Sequence, residues 1–248
     1  VEIAKKHFKK NGITIHENTF VKEVRKLQKL QSVTLNVQGK DEVHDFDTII
    51  SATGIVGNIE NLGLEDIGID TSNSHIVTDN CCRTNHKSIF AIGDVSGPPW
   101  LAHKASHEGV IVAEQIAGHD INPIKPKSIP ACTFSTPQIA SVGFSEKEAK
   151  ENGFKIKIGK FPFIANGKAL AIGEPEGLIK TICDSVTGEI LGAHLIGAEV
   201  TELIHSFSLG RQLEGTDQDF VDTIFPHPTL SEMIHESALG ISNRTIHF

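Results

Sequence analysis

Thr48-Ile49-Ile50-Ser51-Ala52-Thr53-Gly54 and Ser88-Ile89-Phe90-Ala91-Ile92-Gly93-Asp94 decide the fold. Each is a short, mostly apolar run that ends on glycine or on Gly-Asp. Such runs read as buried strands of a helix-covered sheet. A helix, a hairpin-like meander and then a buried strand is the closing half of an α/β nucleotide-binding domain. The second run places Asp94 at the carboxyl end of its strand, where α/β sheets bind ligands and a carboxylate can accept hydrogen bonds from hydroxyl groups.

Upstream, Val1, Ala4 and Phe8 form an apolar stripe among Lys5, Lys6, Lys9 and Lys10, so a helix is expected that stops at Asn11-Gly12. Ile13 to Ile15 reads as a short strand. Val21 to Leu30 mixes basic residues with leucine, Val33 to Val37 alternates, and Gln38-Gly39-Lys40-Asp41 is a turn. The chain opens inside a helical pattern at Val1, and its N-terminus is expected to be a cut edge of a longer protein.

Downstream, a helix is expected from about Ala102 to Ile116 with Gly118 as its stop and Ala105, Val110, Val112, Ala113 and Ile116 as apolar positions. Its first residues, Leu101-Ala102-His103-Lys104-Ala105, offer free N–H groups and a positive dipole end that suit an anion. The His103 side chain reads as an ordinary solvated group. Pro123, Pro126 and Pro130 space a connector, and a domain boundary is placed near Ser128. Beyond it come strands at 132–134 and 138–144, a capping box at Ser145–Glu148, a strand at 156–163, a hairpin of 178–183 with 190–196, and an amphipathic helix at 199–213. That half is α+β with an antiparallel sheet.

Near the C-terminus lies Phe225-Pro226-His227-Pro228-Thr229-Leu230-Ser231-Glu232. Two prolines stiffen the backbone on either side of His227, as a positioned acid/base requires, and Glu232 could accept a hydrogen bond from the ring and fix its tautomer. The same residues fit a capping box from Thr229 to Glu232, opening a helix over Glu232–Leu239 with Gly240 as its stop. Both readings of Glu232 stand on spacing alone.

With 248 residues, 39% hydrophobic and 22% charged, the chain has the composition of a globular protein of one to two domains. A net charge of −8 without a long basic run argues against nucleic acid and anionic membrane as partners. No apolar run approaches the ~20 residues of a membrane helix. Cys81, Cys82, Cys132 and Cys183 form no C-x-x-C and read as reduced thiols, so a cytoplasmic location is expected and no metal site.

Ala52-Thr53-Gly54, Phe90 to Val95, Leu101 to Ala105 with Glu108-Gly109, Ile129-Pro130 with Gln138 to Gly143, and His227 to Glu232 occur in this order. The series resembles the C-terminal half of the dihydrolipoyl dehydrogenase family, flavin-dependent disulfide oxidoreductases of the 2-oxoacid dehydrogenase complexes, and the resemblance spans essentially the whole chain. It implies FAD and NAD as cofactors. Residues 1–57 would close an NAD domain, 58–127 would complete an FAD domain, and 128–248 would form a dimerisation domain. The fold class implied is an α/β nucleotide-binding remnant, with incomplete NAD and FAD domains, followed by an α+β interface domain. Asp94 would hold the ribityl chain of FAD. Trp100, Leu101, Ala102 and His103 would line the flavin, with main-chain N–H groups near its O2, which is negative in the reduced form. Gly54 and Val21 would contact NAD. His227 would be the acid/base, acting at the flavin site of the other subunit across a cis His-Pro bond, with Glu232 as its orienting partner.

Two departures stand out. Ile55-Val56-Gly57-Asn58 replaces the arginine and proline common after Ala-Thr-Gly, and Phe225 stands where a second histidine often lies. The glycine-rich turns for FAD and NAD and the redox-active C-x4-C pair are absent from the sequence. The expected activity is oxidation of protein-bound dihydrolipoamide with reduction of NAD+ by the full-length homodimer docked on a 2-oxoacid dehydrogenase complex, with this chain alone inactive. The alternatives are a related disulfide reductase, such as glutathione reductase, with mercuric reductase less favoured because the histidine base is present, and a non-catalytic fragment that dimerises through residues 199–213 and its C-terminal segment.

Overall fold

A computed structural model describes all residues from Val1 to Phe248. The chain forms two compact units, Val1–Ile55 and Val56–Phe248.

In the first unit, helix α1 (Glu2–Lys10) precedes strands β1 (Thr19–Lys26), β2 (Gln31–Val37) and β3 (Lys40–Phe46), which pair antiparallel in the order β1-β2-β3. Ala4 is the only buried residue of α1, and Val1, expected on its apolar stripe, is 88% exposed. Ile13–Ile15 and Thr48–Gly54 form no strand, contrary to the sequence reading, and Ile50 is 88% exposed. The reason is physical. An apolar run becomes a buried strand only when neighbouring strands take its N–H and C=O groups, and no strand of this chain pairs with either run.

The second unit opens with the small hairpin β4 (Thr71–Ser72) and β5 (His75–Ile76). Ser88–Asp94 is also not a regular strand. Phe90 makes a single antiparallel bridge to Arg83, and Gly93–Ser96 turns into a 3-10 helix. Helix α2 then runs over Ala102–Ile116, with Gly118 beyond it at φ 79°. Its buried face differs from the one expected. Lys104, Glu108 and Ile111 are buried, whereas Val110 and Ile116 are 53% and 71% exposed.

The rest is a five-stranded antiparallel sheet. Along the chain come β6 (Ala131–Thr133), β7 (Gln138–Gly143), α3 (Glu146–Glu151), β8 (Ile156–Pro162), α4 (Gly167–Ala171), β9 (Leu178–Asp184), β10 (Ile190–Gly197), α5 (Val200–Gln212), α6 (Asp217–Asp222) and α7 (Glu232–Leu239). The strand order is β6-β7-β10-β9-β8. Alternation sorts its side chains. Ile179, Cys183, Ala193 and Leu195 join the main core with Val200, Ile204 and Phe207 of α5 and Met233, Ile234 and Ala238 of α7. Ile182 alternates to the opposite face, and the bulge between Ile190 and Gly192 turns Leu191 the same way, into a smaller core with Ala149 of α3. Each fully buried Leu, Ile or Phe contributes about 1.5–3 kcal/mol, so this sheet is a rigid platform for α7.

Two contacts fix α7 on that platform. The Thr181 hydroxyl donates to Ser237 Oγ at 2.8 Å, and Ser237 in turn donates to Ile234 O at 2.9 Å. Gly159 of β8 lies so close that a β-carbon there would overlap Ser237 O. Glycine is needed at this position because helix and strand backbones touch.

The capping box of α3 forms as its spacing foretells. Glu148 Oε2 accepts from the Ser145 N–H and hydroxyl, both at 2.9 Å, and its Oε1 accepts from Lys127 at 2.6 Å. The Lys127 hydrogen bond first, then those from Ser145, hold Glu148 down at about 2, against 4.5 for an ordinary glutamate. A depressed carboxylate stabilises the folded state above its unfolded value, and that contribution disappears as pH falls from 4.5 toward 2. Glu148→Gln is expected to flatten the loss of Tm in that window, read by thermal unfolding from pH 6 to pH 2. An unaltered acid profile would mean the box contributes nothing.

Candidate active-site elements

His227 sits on the loop between α6 and α7, and its bond to Pro228 is cis. Glu232, the first residue of α7, holds the loop with both carboxylate oxygens. Oε1 lies 2.9 Å from His227 Nδ1, and Oε2 accepts the Thr229 N–H at 2.9 Å. The Thr229 hydroxyl donates to Pro226 O at 2.6 Å and does not reach back to the helix as a capping-box residue would. Half of the box is therefore built, and the same carboxylate orients the imidazole. Asn166, the N-cap of α4, ties the loop from the other side by donating to Thr229 O at 3.1 Å.

The charge state follows from these bonds. Partial burial raises the Glu232 pKa, but the Thr229 N–H and then the His227 bond outweigh it, and the net value falls below the usual glutamate range. An ionised carboxylate only accepts, so His227 Nδ1 carries the hydrogen and Nε2 is left as a proton acceptor. The His227 side chain is 78% exposed against 26% for Glu232. The ring is thus held from behind and open in front, at a groove of about 450 Å³ lined among others by Phe225, Asn166, His235 and His247. Phe225 packs against the main core and tilts against His235 at 6.0 Å between centroids, so it serves as a wall of this groove.

The second cluster lies at the start of α2. Asp94 is exposed on the Gly93–Ser96 turn, and its carboxylate meets no donor of the chain. Leu101 is the N-cap of α2 and supplies no side-chain cap, so the first N–H groups of this helix are unpaired. The His103 Nε2–H donates to Pro130 O at 2.8 Å, which occupies its side chain and leaves the backbone as the binding element. Trp100, 38% exposed, donates its indole N–H to His75 Nε2 at 3.1 Å.

Sequence reasoning missed what anchors this turn. The Lys104 ammonium and the Glu108 carboxylate, each 7% exposed, pair at 3.1 Å. Lys104 also donates to Gly97 O at 2.9 Å and to Gly93 O and Ser96 Oγ at 3.2 Å, while the Gly93 N–H donates to Glu108 Oε2 at 2.7 Å. Their i,i+4 spacing was the available signal, because such a pair can face inward when its hydrogen bonds are satisfied. Gly54, at φ 120°, and Val21, 63% exposed beside the irregularity in β1, belong to the first unit. A cleft of about 410 Å³ in that unit is lined by Lys5, Lys9 and neighbours of Thr14, and includes neither residue. All four cysteines are free thiols, and burial raises Cys82 and Cys183 to about 11, so neither of these two is primed as a thiolate. No group of three or more metal-binding side chains is present, and no helix is long and apolar enough to cross a membrane.

Comparison with known proteins bears on these elements. Dihydrolipoyl dehydrogenase of Zymomonas mobilis is 47% identical over 247 residues, covering 98% of this chain and 53% of that protein. The enzyme of the same name from Rhizobium etli is 48% identical over 248 residues, covering 98% of this chain and 51% of that protein. Among solved structures, LpdA from Mycobacterium tuberculosis superposes with a TM-score of 0.89 at 25% identity, over 96% of this chain and 51% of its own. The chain therefore spans about half the length of the relatives it matches. The family model of the pyridine nucleotide-disulphide oxidoreductases matches residues 1–109, and that of their dimerisation domain matches residues 129–238. From these matches and the fold they describe, the chain belongs to the pyridine nucleotide-disulphide oxidoreductases.

Proposed function

We propose that the chain supplies the acid/base and part of the flavin site of a dihydrolipoyl dehydrogenase. The observation that carries this reading is the Glu232–His227–solvent arrangement, in which Nδ1 is held and Nε2 faces an open groove. In the full-length enzyme, His227 Nε2 would take the proton from a thiol of protein-bound dihydrolipoamide, leaving the thiolate that attacks the enzyme disulfide. Glu232 would keep the Nδ1 hydrogen in place and stabilise the imidazolium. On return, the same nitrogen would give its proton to the departing thiolate.

The cluster at α2 fits a flavin. The unpaired N–H groups after Leu101 suit an oxygen that becomes negative, and the unpartnered Asp94 carboxylate suits hydroxyl donors of a ribityl chain. Leu101, Ala102 and Trp100 would lie along the ring, with His103 contributing its main chain. Bound FAD would carry the electron pair from the disulfide couple to NAD+. Gly54 and Val21 would contact NAD.

The domain reading follows: residues 1–57 as the end of an NAD domain, 58–127 as a segment of an FAD domain, and 128–248 as the interface domain that pairs with a second copy. Residues 13–15 and 48–54 support incomplete nucleotide domains, since both carry the apolar pattern of buried strands and pair with no strand of the chain. A cytoplasmic homodimer serving a 2-oxoacid dehydrogenase complex completes the proposal.

Assay of the full-length enzyme decides between substrates. Dihydrolipoamide with NAD+ is expected to turn over at least 100-fold faster than glutathione disulfide with NADPH, read by NADH absorbance. The reverse preference would replace this reading by a glutathione-type reductase.

A further inference from the structure

Trp100 is the one tryptophan of the chain. Besides its hydrogen bond to His75, the two rings stack at 5.8 Å between centroids and 29° between planes. On its far side, His75 places Nδ1 at 2.7 Å from Asn73 O. A carbonyl oxygen only accepts and an indole nitrogen only donates. Together the two bonds demand a neutral imidazole with its hydrogen on Nδ1, so the tautomer is set from both ends.

The seat of the imidazole is narrow. A β-carbon on Gly57 would overlap Ser74 O and come within 3.4 Å of His75 Cδ2, and one on Gly97 would come within 3.9 Å of His75 Cγ. The β4–β5 turn that carries Asn73 and Ser74 holds both at positive φ, 48° and 60°. Backbone on three sides thus fixes His75, and His75 fixes Trp100. More than a third of Trp100 is still exposed.

We infer that His75 is a positioning residue for Trp100, taking its indole N–H and stacking on it so that the ring stands at the start of α2 with exposed surface free for a flat, π-rich ligand. The inference deepens the flavin proposal for residues 94–103 and rests on it for the identity of that ligand. The hydrogen bond orients the indole, and the stack stiffens it. A ring held in place loses less freedom on binding than one that must first be ordered.

A single tryptophan gives a single indole cross-peak in a ¹H–¹⁵N spectrum of the 248-residue protein. A scalar coupling across the hydrogen bond, from Trp100 Nε1 to His75 Nε2, is expected in the unsubstituted protein and requires no variant. Its absence overturns the inference. His75→Phe, which keeps a stacking ring without the acceptor, is expected to move the indole peak to the position of a solvated indole, and His75→Gln, which restores an acceptor, to bring it part of the way back. An indole peak that ignores both substitutions also overturns the inference. Added FAD tests the ligand separately, in the full-length enzyme freed of flavin, where the Trp100 peak is the one that carries the coupling to His75. FAD should shift the indole peak, and the concentration for half the shift should rise about five- to tenfold in His75→Phe, as loss of one neutral hydrogen bond implies. A coupling that is present while FAD leaves the peak in place keeps His75 as the positioning residue and removes flavin as the ligand.

Discussion

His227→Gln in the full-length enzyme is expected to lower dihydrolipoamide oxidation by about 10²–10⁴-fold, the usual contribution of a positioned acid/base, while FAD stays bound. The magnitude follows from the geometry. Two prolines flank the histidine, Glu232 holds Nδ1, and Asn166 and Thr229 tie down the loop that carries it. Glutamine can occupy the space and accept or donate a hydrogen bond, but it cannot store the thiol proton between the two half-steps. The loss should fall on turnover, and FAD should stay bound, because the residues proposed to hold it, Asp94 and the start of α2, are unchanged. Turnover within a few-fold of the unsubstituted enzyme would remove His227 from the mechanism.

Lys104→Met is expected to destabilise the fold by about 3–5 kcal/mol, the usual effect of stranding one member of a buried ion pair. Lys104 and Glu108 are each 7% exposed, and Lys104 also bonds the carbonyls of Gly93 and Gly97. Methionine fills the volume but leaves the buried Glu108 carboxylate without its counter-charge, with the Gly93 N–H as its remaining donor. The double variant Lys104→Met/Glu108→Leu should recover much of the loss, since replacing both charges removes the unpaired one. Urea unfolding of the two variants is the measurement. A single variant within about 1 kcal/mol of the parent would show that the pair does not anchor the Asp94 turn.

These two cases also show what the sequence discloses and what it hides. The antiparallel half was readable because its elements carry local signals: two apolar runs close enough to pair as a hairpin at β9 and β10, and Ser145 three residues before Glu148. The helix bounds of α2 and α7 were equally local. Thr48–Gly54 failed because strand formation is not local. The run has the right residues, yet nothing in this chain pairs with it. The buried face of α2 was misread for a different reason. Counting apolar residues favoured Val110 and Ile116, whereas the interior took a lysine satisfied by backbone oxygens and a glutamate satisfied by the Gly93 N–H, paired with each other. His227 and Glu232 were legible as a pair from their spacing. That one carboxylate serves both the ring and the Thr229 N–H is a fact of geometry that spacing left open. His75 carried no sequence signal, since its partner lies 25 residues away.

The central claim is that Glu232 fixes His227 with its hydrogen on Nδ1 and Nε2 free to take a proton. A long-range ¹H–¹⁵N spectrum of the imidazole, recorded with His227 neutral, measures this directly. The account predicts a protonated Nδ1 and an unprotonated Nε2, with the tautomer becoming mixed in Glu232→Ala. A neutral ring that carries its hydrogen on Nε2, or one whose tautomer ignores the loss of Glu232, would contradict it.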